Sequence, residues 1–124
     1  MKNTFIFMLL SLVTYTASAQ SFQSAIDGIT KQNMDQLDNN LSNLIELSIN
    51  SKPSTLRKAE AIKVLGEYLH TIQPQSFQSG HQGNLEANHY QVGTLSSVEG
   101  KHRLFLFRDT NNGLVKEIRL SAVK

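Results

Sequence analysis

Three histidines and one tyrosine in the C-terminal half are the side chains best suited to acid/base chemistry. They are His81, His89, Tyr90 and His102, with Glu86 and Asp109 as potential carboxylate partners. Imidazole titrates near neutral pH, and burial shifts a carboxylic acid or a histidine toward the pH at which a catalyst works. No acidic residue occupies a mid-strand position among the apolar residues that would face inward. We therefore predict no catalytic set and treat the four residues as candidate ligand-binding residues.

The same histidines do not have the spacing of a metal site. Zinc sites need three or four converging ligands, often announced by two histidines on one helical face. His70, His81, His89 and His102 lie on different predicted elements, and the chain has no cysteine. The segment Asp109–Gly113 resembles the start of a calcium loop, but Leu114 and Leu120 stand where that loop needs Gly and an acidic residue. We predict no metal and no cofactor.

A second candidate is a surface rather than a pocket. The segment Leu104–Phe107 is apolar at every position, so both faces of its strand are apolar. If helices cover one face, the other presents a contiguous apolar patch, which usually marks an interface. Phe105 and Phe107 are the interface candidates, and a homodimer is one arrangement they would serve. The alternative is that the N-terminal helices cover this face.

The N-terminus has the pattern of a cleavable signal peptide over residues 1–19. Lys2 provides a positive charge, Phe5–Val13 an apolar run, and Ala17–Ala19 a small-x-small cleavage site. The apolar run is shorter than the roughly 20 residues that a membrane-spanning helix needs. We expect cleavage before Gln20, a protein secreted into the periplasm, and no membrane span after cleavage.

Charge and composition fit one soluble domain over residues 20–124. Of the 124 residues, 40% are hydrophobic and 18% are charged, and the formal net charge is +2. Loss of Lys2 with the leader lowers this net charge to +1. A chain with so little excess positive charge is not expected to bind nucleic acid. Because cysteine is absent, neither a disulfide nor a lipid anchor on cysteine is expected.

Helical periodicity is confined to the first part of the expected domain. Apolar residues recur every three or four positions between Ser21 and Leu41, which predicts two short helices broken at Gly28 and residues 31–33, with Asn33 as a cap. The segment 44–49 alternates as a strand does. Ser54 or Thr55 then opens a long helix that ends before Pro74.

The rest of the chain, after Pro74, is predicted to form strands. They are predicted at Ser76–Gly83, His89–Ser96, Lys101–Arg108 and Leu114–Ser121, with turns at Glu99-Gly100 and Asn112-Gly113. Helices followed by hairpin-connected strands predict an α+β domain in which the helices pack on one face of a curved antiparallel sheet. Such a sheet would form a cone, and its open mouth, if not filled by side chains, is the default pocket.

Several stretches carry a family resemblance. They are Lys58–Ile62, Gln73–Phe77, His81–Gly83, Tyr90–Leu95 and Lys116–Leu120. The order of elements is similar to the nuclear transport factor 2-like (cystatin-like) cone, and the stretches resemble domain of unknown function 4783, a secreted family typical of the Bacteroidota. The resemblance implies the cone fold and an exported location, and it brings no activity with it.

Three functions remain open at this point. The first is a non-enzymatic module that binds a small apolar ligand or an envelope protein through its cone or its sheet face. The second is a small-molecule isomerase or hydrolase of the ketosteroid isomerase-like type, with His89 or His102 as base and Tyr90 as donor. The third is a domain whose only role is assembly in an envelope complex, which the sequence does not separate from the first.

Overall fold

The computed structural model describes residues 22–85 and 88–123. The predicted signal peptide and Glu86 lie outside these residues. Within the described ranges the chain forms three helices and six strands, in the α+β arrangement that the sequence predicts. No helix in these ranges is both long enough and apolar enough to cross a membrane.

Two short helices open the described chain, as predicted. Helix α1 includes residues 22–30, and helix α2 spans Met34–Asp38. The Asn33 side chain caps α2 by accepting a hydrogen bond from the Gln36 backbone N–H at 3.1 Å. The sequence predicts a break at Gly28, but the chain is still helical at this residue. It lies within α1, where a Cβ atom would be 3.0 Å from the Leu37 nitrogen, so the glycine permits the close approach of α2.

The strand and the long helix that follow differ from the prediction at their ends. Strand β1 spans Leu41–Ile49, so Leu41 begins a strand rather than ending a helix. Strand β2 spans Lys52–Arg57 and takes up Ser54 and Thr55, which pair with β1 and do not open the long helix. Helix α3 spans Lys58–Ile72. It ends at Gln73, whose φ of 55° is left-handed, immediately before Pro74.

Four further strands complete one curved sheet. They are β3 (Pro74–Leu85), β4 (Asn88–Ser97), β5 (Gly100–Asp109) and β6 (Val115–Ala122), and the order across the sheet is β2-β1-β6-β5-β4-β3. Neighbouring strands are antiparallel except β1 and β6, which are parallel. The four C-terminal strands are antiparallel to one another as predicted, and β1 joins this sheet by a parallel pairing with β6, to which no hairpin connects it.

The two predicted glycine turns have different lengths. Only Val98 and Glu99 separate β4 from β5, and Gly100 takes a φ of 124° where the pairing resumes. Five residues, 110–114, separate β5 from β6, so Asn112-Gly113 belongs to a longer loop. The Asp109 carboxylate accepts a hydrogen bond from the Asn111 N–H within that loop.

The three helices cover one face of the sheet and form the core with it. The side chains of Ala25, Ile29, Leu65 and Leu69 contribute from the helices, and the buried strand residues include Ile45, Leu47, Leu95, Leu104, Leu106, Ile118 and Leu120. This helix-covered face is hereafter the inner face. Its apolar side chains fill the interior of the cone.

Candidate functional site

The face of the sheet opposite the helices, hereafter the outer face, has a row of aromatic side chains. Since side chains alternate along a strand, burial of Leu104 and Leu106 turns Phe105 and Phe107 to the outer face. Both phenylalanines are only partly buried. They stack at a centroid distance of 6.3 Å and an interplanar angle of 14°. No helix in the described ranges covers this face.

Two residues from neighbouring strands extend the row toward the sheet edge. The Tyr90 ring on β4 stacks on Phe105 with centroids 6.0 Å apart, and the His81 ring on β3 lies 5.5 Å from Tyr90. The aromatic row is hereafter His81, Tyr90, Phe105 and Phe107. It crosses three adjacent strands, so the pairing of β3, β4 and β5 fixes its geometry.

Strand β6 places two cations over the row. The Arg119 guanidinium carbon lies 5.2 Å from the Phe105 ring centroid, and the Lys116 Nζ lies 5.2 Å from the centroid of Phe107. Both distances are within the range of cation–π attraction. The Arg119 Nε donates a hydrogen bond to the Glu117 carboxylate, which holds the guanidinium beside the ring. The outer face is thus both aromatic and charged.

A groove adjoins the row on the side of β1 and β2. Its volume is about 740 Å³, and the residues that line it include Glu46, Ser48, Thr55, Glu117, Arg119 and Ser121. A smaller hollow of about 360 Å³ lies between Leu44, Phe107 and Lys116. The outer face therefore offers an apolar row next to hydrogen-bonding groups, the combination typical of binding surfaces.

His102 points to the inner face, away from the aromatic row. It is only 3% exposed and packs edge-on against Tyr68 of α3 at a centroid distance of 6.0 Å. Its Nδ1 lies 3.5 Å from the Ser97 hydroxyl oxygen, and that hydroxyl donates to the Gly100 carbonyl. Burial lowers the pKa of His102, although a backbone hydrogen bond with Gly100 opposes the shift. His102 is therefore a core residue rather than part of the outer face.

His89 also lies on the inner face, because it directly precedes Tyr90 in β4. It pairs across the strands with Arg108, whose guanidinium carbon lies 4.8 Å from the centre of the Phe22 ring. Burial lowers the pKa of Arg108, and its buried Nε has no hydrogen-bond partner in the described structure. Tyr90 is therefore separated by the sheet from both histidines that were considered as bases, and the acid/base pair of an isomerase is not formed.

The structure thus divides the predicted candidates into two groups. His81, Tyr90, Phe105 and Phe107 come together, whereas His89 and His102 lie on the other face. Among the residues described, no three His, Asp or Glu side chains come close enough to hold a metal ion. Asp109 ends β5, and its carboxylate bonds to the backbone of the β5–β6 loop.

Sequence reasoning missed Lys116, Arg119 and Gly83 as parts of the outer face. Gly83 pairs directly with Tyr90, and a Cβ atom at position 83 would lie 2.5 Å from the Tyr90 hydroxyl oxygen. A glycine opposite a tyrosine in a predicted hairpin is a signal that could have identified this contact.

Comparisons with known proteins agree with this fold. The model of the family described as domain of unknown function (DUF4783) matches residues 22–120. A DUF4783 family protein from Bacteroides ovatus superposes with a TM-score of 0.76 at 18% identity, covering 82% of this chain and 94% of that one. A second, from Bacteroides uniformis, has a TM-score of 0.76 at 20% identity and covers 82% and 96%.

A more distant structure has the same architecture. An NTF2-like protein of unknown function from Cytophaga hutchinsonii has a TM-score of 0.63 at 4% identity, covering 83% of this chain and 87% of that one. No curated protein matches the sequence significantly. The match over residues 22–120 shows that the chain belongs to the DUF4783 family, and its fold is the NTF2-like, cystatin-like α+β cone.

Proposed function

We propose that this protein is a non-enzymatic module that binds a protein partner of the cell envelope on its outer face. The observation that carries the proposal is the aromatic row, in which four rings lie within 5.5–6.3 Å of their neighbours on a face without helices in the described ranges. Tyr, Phe and Arg are enriched at protein interfaces. Arg119 and Lys116 over the rings supply polar contacts beside the apolar ones.

The distribution of titratable groups supports binding rather than catalysis. A general base must come within hydrogen-bonding reach of the proton it removes. The buried His102 contacts Tyr68 and Ser97, and the outer-face His81 contacts Tyr90. An inner-face base and the outer-face phenol therefore have no common space for a substrate.

A second candidate function is the binding of a small apolar ligand at the rim of the cone. A hollow of about 470 Å³ lies between α3 and the β1–β2 hairpin, and Leu47, Ile49, Val64 and Tyr68 line much of it. Val64 is 41% exposed, so an apolar ligand in this hollow would cover apolar surface that water now contacts. The mass of a retained ligand separates this candidate from a protein partner.

The proposal includes export. Its support is the sequence of residues 1–19, with a positive charge, an apolar run and a small-x-small site. Expression in a bacterial host, followed by fractionation and mass measurement, tests it. A periplasmic protein that begins at Gln20 supports export, and a cytoplasmic protein that retains Met1 contradicts it.

A comparative pull-down tests the binding function. The wild-type protein, a Phe105→Ser/Phe107→Ser variant and a Val98→Ser/Val123→Ser control are immobilised and exposed to the solubilised envelope of a Bacteroides species. Val98 and Val123 are 66% and 50% exposed and lie outside the aromatic row, so the control removes apolar surface elsewhere. We expect the same protein to be retained by the wild type and the control and lost from the row variant. Equal retention by all three contradicts the proposal.

A further inference from the structure

Strand β3 lies at one edge of the sheet, and it is longer and less charged than a protected edge strand normally is. In the strand order β3 is last, and within the described ranges no strand pairs with its free side. The strand spans twelve residues and contains no Asp, Glu, Lys or Arg. Long edge strands without charged residues are templates for pairing with another chain.

The opposite edge of the same sheet provides the comparison. Strand β2 is only six residues long, and it carries Lys52, Pro53 and Arg57. Short length, positive charge and proline are the usual means by which a sheet edge is protected from intermolecular pairing. Both edges contain a proline, since β3 begins with Pro74, but only β2 is also short and positively charged.

The middle of β3 is exposed. Residues 78–82 are all exposed, so neither a helix nor a loop among the described residues covers them. Irregularities between Pro74 and Ser76 and between Ser79 and His81 interrupt the pairing with β4, but the register is regular from His81 to Leu85. This regular stretch has the geometry that an additional strand needs.

From these observations we propose that two copies of the protein associate through their β3 edges, in antiparallel orientation, to form one continuous sheet. Antiparallel pairing of a strand with its own copy has two-fold symmetry, so each hydrogen bond forms twice. Because β3 is uncharged, the two copies meet without repulsion between like charges. The aromatic row ends on β3 at His81, and the association would therefore bring the rows of the two copies together on one face.

The outer face is less suited to pairing with a copy of itself. Lys116 and Arg119 lie over the aromatic row, so in face-to-face pairing of two copies these polar side chains would stand between the facing rings. Association through the edge leaves the outer face open. The edge proposal is therefore independent of the proposed function, and either one can fail without the other.

Sedimentation of charge variants tests the edge. Gln78 and Gln82 are exposed on β3, and a Gln78→Lys/Gln82→Lys variant introduces the positive charges that protected edges carry. A Glu60→Gln/Glu99→Gln variant changes the net charge by the same amount at exposed positions away from β3. We expect dimers of the wild type and the control at about 100 μM, and a dissociation constant raised roughly tenfold or more in the edge variant.

Cysteine cross-linking gives a second readout that does not rely on weakening the dimer. The native chain has no cysteine, so single cysteines introduced in turn at Gln78, His81 and Gln82 report on contact between copies without background. We expect at least one of them to form a disulfide-linked dimer far more efficiently than Lys63→Cys on α3. Circular dichroism spectra confirm that each variant is folded.

Three results would overturn the proposal. The first is a wild-type protein that is monomeric at about 100 μM. The second is a dimer that persists in the edge variant but dissociates in a Phe105→Ser variant. The third is that the β3 cysteines cross-link no better than the cysteine on α3. The second result would assign the dimer to the outer face. None of these results depends on whether an envelope partner binds.

Discussion

The Tyr90 ring lies directly over Gly83, its cross-strand partner, and occupies the space in which any other residue would place a side chain. The same two strands have the opposite arrangement on the inner face. There, Phe77 of β3 lies over Gly93 of β4. Two glycines thus admit two aromatic rings, one into the core and one onto the outer face.

The two glycines are expected to differ in their tolerance of alanine. At position 93 a Cβ atom would lie 2.5 Å from the Gln78 carbonyl oxygen, which belongs to the backbone and does not move easily. We expect Gly93→Ala to lower the free energy of unfolding by about 3 kcal/mol. At position 83 the obstacle is the end of the Tyr90 side chain, which can rotate, so Gly83→Ala should cost about 1 kcal/mol. Urea denaturation measures the free energy of unfolding of both variants. Equal losses in the two variants would contradict the expected difference between the two glycines.

Gly83→Ala should also change the aromatic row. Displacement of Tyr90 separates its ring from His81 and Phe105, which it now contacts. We expect altered near-ultraviolet circular dichroism of tyrosine and altered ring chemical shifts of Phe105, with the far-ultraviolet spectrum unchanged. Gly113→Ala is the control, because nothing lies within 4 Å of a Cβ atom there and its strain is local to a loop. Unchanged tyrosine signals in Gly83→Ala would contradict the packing.

Asn50 joins three elements at the turn between β1 and β2. Its φ is 50°, its Nδ2 donates to the Tyr68 hydroxyl at 3.2 Å, and its Oδ1 accepts from the Ala122 N–H at 2.9 Å. Asn50→Ala removes both side-chain bonds and places alanine in a left-handed conformation, so we expect a loss of about 2–3 kcal/mol. Glycine tolerates the left-handed conformation, so the free energy of unfolding of Asn50→Gly should fall by about 1 kcal/mol less than that of Asn50→Ala. Thermal denaturation of the two variants measures the difference, and similar stabilities would show that backbone strain contributes little.

Stability should fall in mild acid because of His102. Burial lowers its pKa in the folded state, so between that value and the ordinary pKa of about 6.5 the unfolded chain binds more protons than the folded one. The contribution of His102 to the free energy of unfolding is therefore complete above about pH 6.5, and it is lost as the pH falls toward the folded-state pKa. Urea denaturation between neutral and mildly acidic pH measures the slope. We expect His102→Gln to flatten it and the exposed His70→Gln to preserve it, and a slope unchanged in His102→Gln would refute the assignment.

The regular elements could be predicted because their patterns are local. The periodicity of α3 and the alternation of β4, β5 and β6 are visible in short windows of sequence. Strand β2 could not be predicted, because Leu56 is its only large apolar residue and its pairing with β1 is a tertiary contact. For the same reason the local pattern predicts a helix start at Ser54 or Thr55, where the structure has a strand. The parallel pairing of β1 and β6 depends on chain segments far apart in sequence.

The candidate site was predictable only in part. Apolarity on both faces of Leu104–Phe107 identified the phenylalanines, but burial of Leu104 and Leu106 by the helices decides which pair is left outside. Adjacent positions in a strand face opposite ways, so His89 and Tyr90 could have been separated from sequence alone. The contact of His81 with Tyr90 could not be predicted from sequence, because the irregularity between Ser79 and His81 sets the register there.

Native mass spectrometry tests the central claim, that the outer face is a binding surface, most directly. The wild-type protein and the Phe105→Ser/Phe107→Ser variant are expressed in a Bacteroides host and isolated gently. We predict a wild-type species with additional bound mass of another protein, distinct from a second copy of the chain, and a variant without it. A wild-type protein that carries no additional mass, or bound mass retained equally by both proteins, would contradict the claim.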